Sequence, residues 1–246
     1  MEGKLWYLKR CDLFLGLSSE QAHHLERNAV IRTFKRKSLI YAPTEPGQSV
    51  LVLAQGQVKI KDITPDGKET ILAFMEPGEL FGELTLLDGA PRQDYAEAVT
   101  DAKVLVLTRD SVLWLMEQRP DVTLSVTKLM GLRRKRIENR LRNVLFLSSR
   151  DRMIRILCEL METHGEREGS TCEIRLSLSH QDLASLIGVT RETVTVVLGQ
   201  LQKDRLIKIR RRHLTIIDCD RLVYESTGAS VMPKQEPAAF ENVPYP

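Results

Sequence analysis

A chain of 246 residues that is 42% hydrophobic and 28% charged, with a formal net charge of +3, has the balance of a globular protein, long enough for one large domain or two smaller ones. No apolar run approaches the roughly 18 residues of a membrane span, and the N-terminus, MEGKLWYLKR, carries charges where a secretory signal would be apolar, so a cytoplasmic location is expected. Cys11, Cys158, Cys172 and Cys219 and the five histidines are scattered without metal-ligand spacing, and no P-loop, G-x-S-x-G or H-E-x-x-H occurs, so neither a metal site nor an enzyme is expected.

The first thirty residues read as helical, with Ser18, Ser19 and Glu20 opening a short helix over 21–29. From 30 to 108 the pattern changes to short strands: VIRTF, SLIY, SVLVLAQ, QVKIKDI, KETILAFM, YAEAV and AKVLVLT. Turn signals at Pro46-Gly47, Gly56, Pro65-Asp66-Gly67, Pro77-Gly78 and Asp88-Gly89 separate them, and the near-regular spacing predicts a barrel or jelly roll. Val58, Ile60, Asp62 and Ile63 should face Thr70, Ile71 and Ala73 across the Asp66-Gly67 turn of a hairpin.

Helix follows. Residues 109–111 precede VLWLMEQ, and Pro120 stands at the first turn of a much longer helix over 121–147. Val126, Met130, Ile137, Leu141 and Val144 make an apolar seam along it, interrupted by Arg133, while Arg134, Lys135, Arg136, Glu138 and Arg142 lie on its other faces. A helix this long needs cover, and a second copy of itself is the simple candidate. The basic run from Arg133 to Arg136 reads as a solvated face. DRMIRILCELMETHG is the next amphipathic helix, stopping at Gly165.

EIRLSLS then leads into HQDLASLIGVTRETVTVVLG, which has the spacing of a helix-turn-helix. Ala184 is small where two helices cross, and Gly188 supplies the turn. Val194 and Val197 can pack back on Leu183 and Ile187, while Arg191, Glu192 and Thr195 face outward behind an N-cap at Thr190. A guanidinium bonds guanine bidentately and a carboxylate accepts from a cytosine amine, so this pattern suits a major groove. LIKIRRRHLTIID adds two strands, one with Leu206, Ile207 and Ile209 and one with Leu214, Ile216 and Ile217, joined by Arg210-Arg211-Arg212 as a wing. Between Arg191 and His213 there are seven basic residues against two acidic ones, so positive charge gathers where a phosphate backbone would lie. Residues 223–246 read as a mobile tail.

This order of parts resembles the Crp/Fnr family over residues 5–222, most specifically in SHQDLASLIGVTRETVTVVLGQLQKDRLI and PGELFGELTLLDGAPR. The resemblance implies an α+β fold: an N-terminal β-roll (a double-stranded β-helix or jelly roll) at 1–120, a dimerisation helix at 121–148 and a winged helix-turn-helix at 149–222. It further implies a homodimeric transcription regulator that binds double-stranded DNA at an inverted repeat, with recognition helices over 190–203 entering major grooves about 34 Å apart. Contact with RNA polymerase and a small effector held in the roll are also implied. The implied DNA-binding set is Ser179, His180, Gln181, Thr190, Arg191, Glu192, Thr193, Thr195 and Val196 with Arg211 and Arg212 of the wing. The rival reading is a regulatory module that acts on a partner protein and keeps the helix-turn-helix as scaffold.

In cyclic-nucleotide-binding members, the stretch corresponding to PGELFGELTLLDGAPR is the phosphate-binding cassette. By that likeness Glu83 would accept from a ribose 2′-hydroxyl, Gly82 and Leu84 would supply amides, and Arg92 would pair the cyclic phosphate. Three features depart from the family pattern. Gln93, followed by Asp94, replaces a small residue after the arginine. Ile137 and Glu138 stand where cyclic-AMP-binding members read adenine with a Thr-Ser pair. Val196 replaces the second arginine of R-E-T-V-x-R and could touch a thymine methyl. The cofactor therefore stays open: a cyclic nucleotide is one candidate effector. No haem ligand set is recognisable, and the absent N-terminal cysteine cluster argues against iron–sulfur chemistry.

Overall fold

The computed structural model describes residues 4–8, 11–210 and 213–228. The chain divides into two compact units, residues 1–141 and 142–246. The first begins with α1 (Lys4–Leu8), a 3-10 turn at Asp12–Phe14 and α2 (Ser19–Arg27). Its strands are β1 (Ala29–Phe34), β2 (Leu39–Tyr41), β3 (Ser49–Gln55), β4 (Val58–Ile63), β5 (Glu69–Met75), β6 (Leu80–Phe81), β7 (Tyr95–Ala98) and β8 (Ala102–Thr108). The one-turn helix α3 (Thr85–Asp88) lies between β6 and β7, and α4 (Arg109–Gln118) and α5 (Pro120–Phe146) follow β8.

The strands form two antiparallel sheets, ordered β1-β8-β3-β6 and β2-β7-β4-β5. Alternation along β3 sends Leu51 and Leu53 into the space between the sheets, where they meet Tyr41, Val58, Ile60, Met75, Phe81 and Val104. The same alternation sends Val50, Val52 and Ala54 to the opposite face, onto Leu8, Phe14, Leu25, Val112 and Leu115. Both faces of β3 are covered, which is why SVLVLAQ reads as a continuous apolar run and not as an alternating one. Each such side chain contributes about 1.5–3 kcal/mol of burial. The hairpin forms with Ile60 opposite Ala73 and Asp62 opposite Thr70 as expected, whereas Val58 faces Met75, Ile63 faces Glu69 and Ile71 faces Lys61, with a bulge between Ile60 and Lys61.

The helix starts are chemically marked. Ser18 Oγ accepts from the Gln21 amide while the Gln21 side chain accepts from the Ser18 amide. Thr108 caps α4 through Ser111. Pro120 opens α5, where its missing N–H costs no helical bond. The seam expected along α5 divides. Val122 and Val126 lie in the core of the first unit, and Met130 packs partly against it. Val126 is only 2% exposed within the single chain, so it has no surface left for a partner, and its assignment to an intermolecular seam is corrected. Ile137, Leu141 and Val144 remain about half exposed, with Leu145 and Phe146 beside them.

The second unit contains α6 (Ser149–His164), β9 (Gly165–Glu168), β10 (Thr171–Ile174), α7 (His180–Ile187), α8 (Arg191–Lys203), β11 (Ile207–Arg210), β12 (His213–Ile216) and α9 (Cys219–Gly228). Its sheet runs β11-β12-β10-β9, and Met153, Ile154, Leu157, Leu183, Val194, Leu201, Ile216 and Leu222 are buried. Gly165 does stop α6, but in an extended conformation. Glycine is required there by crowding, since a Cβ would collide with the Met161 carbonyl oxygen and Cys172 Sγ. Residues 223–228, expected in a tail, are helical instead: α9 runs through Gly228 behind buried Leu222, and residues 229–246 lie outside the described residues.

Candidate DNA interface and effector site

Two caps and one left-handed glycine set the geometry of α7 and α8. Ser179 Oγ accepts from the Asp182 amide at 3.1 Å, and the Asp182 carboxylate accepts from the Ser179 amide at 2.9 Å. Gly188 ends α7 at φ +67°, in the region glycine enters without steric cost. Thr190 Oγ1 then accepts from the Thr193 amide at 3.2 Å and starts α8. Buried Leu183, Ala184 and Ile187 meet an α8 whose Val194, Val197, Leu198 and Leu201 are also buried.

Helical periodicity leaves Arg191, Glu192, Thr195, Val196 and Gln200 exposed on the other face of α8. The Glu192 carboxyl is held below the usual carboxylate range by hydrogen bonds from its own backbone amide and from Thr190. Thr193 is half-buried and faces the cap, its hydroxyl 3.1 Å from that of Thr190. His180 Nδ1 lies 2.8 Å from Thr195 Oγ1, linking the start of α7 to the outer face of α8. A Cβ added at Gly199 would meet nothing within 4 Å, so no packing inside the protein demands glycine there. In the wing, Arg210 pairs across the ladder with His213, and both are exposed. Arg211 and Arg212 lie outside the described residues.

In the first unit, Gly82 follows β6 at φ +69°, and the expected cassette residues gather around it. Arg92 is buried; its Nη1 donates to the Gly82 carbonyl at 2.7 Å and its Nη2 to the Ser49 carbonyl and, at 3.2 Å, the Ser49 hydroxyl. Its guanidinium carbon sits 4.5 Å from the centre of the Tyr41 ring. Burial weakens the charged form of Arg92 and raises the pKa of nearby Asp94. Thr44, a β-branched residue at φ +72°, donates its amide to the Arg92 carbonyl at 2.9 Å, so backbone strain is stored in the loop that clasps this arginine.

Glu83 is buried, and its carboxylate lies 2.6 Å from Nη1 of Arg133 on α5. Arg133 Nη2 also donates to the Leu80 carbonyl at 2.6 Å. Gly82, Glu83 and Arg92 are thus brought together, with every charged end engaged by the chain itself. Leu84 and Gln93 are exposed, Ile137 is about half exposed, and Glu138 pairs with exposed Arg134 at 2.8 Å on the outside of its own helix. Arg133, Tyr41, Ser49 and Asp94 escaped the sequence reading as a group. Two left a trace there: Arg133 as the charge that broke an apolar seam, and Asp94 as part of the departure that follows Arg92.

Residues 31–119 match the cyclic nucleotide-binding domain, and residues 151–224 match the Crp-like helix-turn-helix domain. The chain is 31% identical over 202 residues to the cyclic AMP receptor protein of Thermus thermophilus, covering 82% of this chain and 90% of that one. The chain belongs to the Crp/Fnr family. It is a DNA-binding transcription regulator of that type, and regulators of the family act as dimers. It is also 28% identical over 215 residues to the CRP-like cAMP-activated global transcriptional regulator of Mycobacterium tuberculosis, covering 87% and 96% of the two chains. The solved structure of FixK2 from Bradyrhizobium japonicum, 23% identical, shares the fold with a TM-score of 0.70 over 80% of this chain and 96% of that one. α8 lies within the residues that match the Crp-like helix-turn-helix domain, and Gly82, Glu83 and Arg92 lie within those that match the cyclic nucleotide-binding domain. Among the described residues no helix is long and apolar enough to cross a membrane.

Proposed function

We propose that the second unit reads DNA through the exposed face of α8, as one half of a two-fold dimer on an inverted repeat. Arg191 and Glu192 make the polar base contacts. Ser179, His180 and Gln181 at the start of α7 stand beside the backbone, and Lys208, Arg210, Arg211 and Arg212 of the wing neutralise phosphates. The observation that carries this reading is the division of α8 into one face buried against α7 and one face left exposed with an arginine and a carboxylate on its first turn. The half-exposed Ile137, Leu141 and Val144 of α5 supply an apolar surface for the second copy.

The first unit modulates this activity through a small effector at the Gly82 cluster, and the dimer works in the cytoplasm with RNA polymerase as its partner. Cyclic AMP is not required for operator reading. Glu83 is already paired with Arg133, Arg92 is already bonded to carbonyls, and Ile137 and Glu138 offer no hydroxyl pair to adenine. The test is selection of bound duplexes from a random pool, run with and without cyclic AMP. The same inverted repeat is expected in both arms. A repeat recovered only with the nucleotide assigns the cluster to cyclic AMP. No enrichment in either arm, at low salt, overturns the DNA reading in favour of a partner protein.

A further inference from the structure

We infer that His180 is a positioning residue for base reading: it fixes the Thr195 side chain so that Thr195 and Val196 together present an apolar patch to the 5-methyl group of a thymine. This rests on the reading of α8 as the recognition element.

A threonine hydroxyl has one hydrogen, and Thr195 Oγ1 donates it to the Arg191 carbonyl at 3.1 Å. That carbonyl only accepts. The 2.8 Å contact from His180 must then be supplied by an Nδ1–H, with Thr195 Oγ1 as acceptor. The hydroxyl's one hydrogen and one of its two lone pairs are therefore committed inside the protein, although Thr195 is exposed. The hydroxyl can no longer donate to a base edge, and its methyl group is left to face a ligand.

Threonine in a helix divides between two χ1 rotamers, because its hydroxyl reaches carbonyls of the preceding turn from either. A second bond from a different helix selects one of them and holds the methyl in one place. Val196, the next residue, is 61% exposed and wholly apolar. An exposed valine beside a threonine whose oxygen is engaged makes a two-residue apolar surface on a helix face that is otherwise polar at Arg191, Glu192 and Gln200. In the major groove the one apolar group on a base-pair edge is the thymine methyl.

The test uses the full-length protein and the duplex recovered by selection, with each thymine of a half-site replaced in turn by uracil, which removes only the methyl. For the unmodified protein, one such replacement should weaken binding about fourfold, the worth of one buried methyl group. His180→Asn should keep that loss, because the asparagine amide donor falls where Nδ1 stood. His180→Gln places its donor where Nε2 stood, so it and His180→Ala should bind the thymine and uracil duplexes nearly alike. Thr195→Ser, which keeps the hydroxyl and drops the methyl, should also lose the discrimination with His180 intact. An unchanged fourfold loss in His180→Ala and His180→Gln overturns the inference, as does a half-site with no methyl-sensitive thymine. Failure to recover any duplex overturns instead the recognition-helix reading on which it stands.

Discussion

The two units treat their charged side chains in opposite ways. Around Gly82 the charges turn inward: Glu83 meets Arg133, Arg92 meets two carbonyls, and on the neighbouring sheet Lys59 and Lys61 meet Glu69 and Glu97 in a largely buried network. On α8 the side chains of Arg191 and Glu192 stay exposed, Glu192 held only by its own amide and Thr190, and in the proposed reading their further partners belong to DNA. An inward charge is a structural commitment, costly to break because its partner stays behind. An outward charge costs the fold little and is available for recognition. The first unit therefore resists substitution through stability, the second through affinity.

The largest expected effect lies on the inward side. Glu83→Ala leaves the Arg133 guanidinium without its carboxylate in a mostly buried seat and should cost about 3 kcal/mol, seen as a lower denaturant midpoint with unchanged slope. A loss under 1 kcal/mol would show that the pair behaves like a surface contact and would dissolve the contrast. Arg191→Ala should do the reverse. It should leave the denaturant midpoint alone, cost roughly 1–3 kcal/mol of DNA binding and relax the preference at one base pair. An equal loss on every sequence would move Arg191 from base to phosphate. Gly199→Ala is the smallest and sharpest case, because its two effects have opposite signs. Open space around a Cβ in the middle of a helix means that alanine should stabilise the fold by up to about 1 kcal/mol, raising the melting temperature. If the DNA backbone approaches that point, the same methyl should weaken binding, read by titration of the selected duplex. Unchanged binding would place Gly199 outside the interface.

The same contrast explains what was legible in the sequence. The helix starts at Ser18 and Thr190, the proline at the head of α5 and the turn at Gly188 all act within four residues, so each was visible as local chemistry, while the equally local cap at Ser179 went unread. The exposed row of α8 followed from periodicity alone. The Glu83 partner was not visible, because Arg133 lies on a different element, and an acid and a base fifty positions apart carry no pattern. The split of the α5 seam was hidden for a related reason. Val126 and Ile137 obey one spacing, and spacing cannot tell which surface, the chain's own or another's, covers each residue. β6 has only two residues and shows no alternation, and the last turns of α9 are too polar to stand out.

The order of the sheet that carries β3 has a consequence for how the protein is made. β8 lies between β1 and β3 and pairs with both, while β1 and β3 do not pair with each other. During synthesis the chain emerges from its N-terminus, so until residues 102–108 leave the ribosome, β1 and β3 have no common neighbour. The apolar faces of β3 then have no finished surface to meet. The first unit, although made first, cannot close cotranslationally in the order of its strands; it must hold β1 and β3 apart until the strand that joins them arrives, and these distant pairings make its assembly slow. In the second unit, α7 and α8 follow one another directly, so their contact is local in sequence. A nascent chain arrested before residue 102 would thus leave one edge of β3 unpaired and Val50 and Val52 without Val112 and Leu115, which makes that interval the one in which a chaperone has the most to cover.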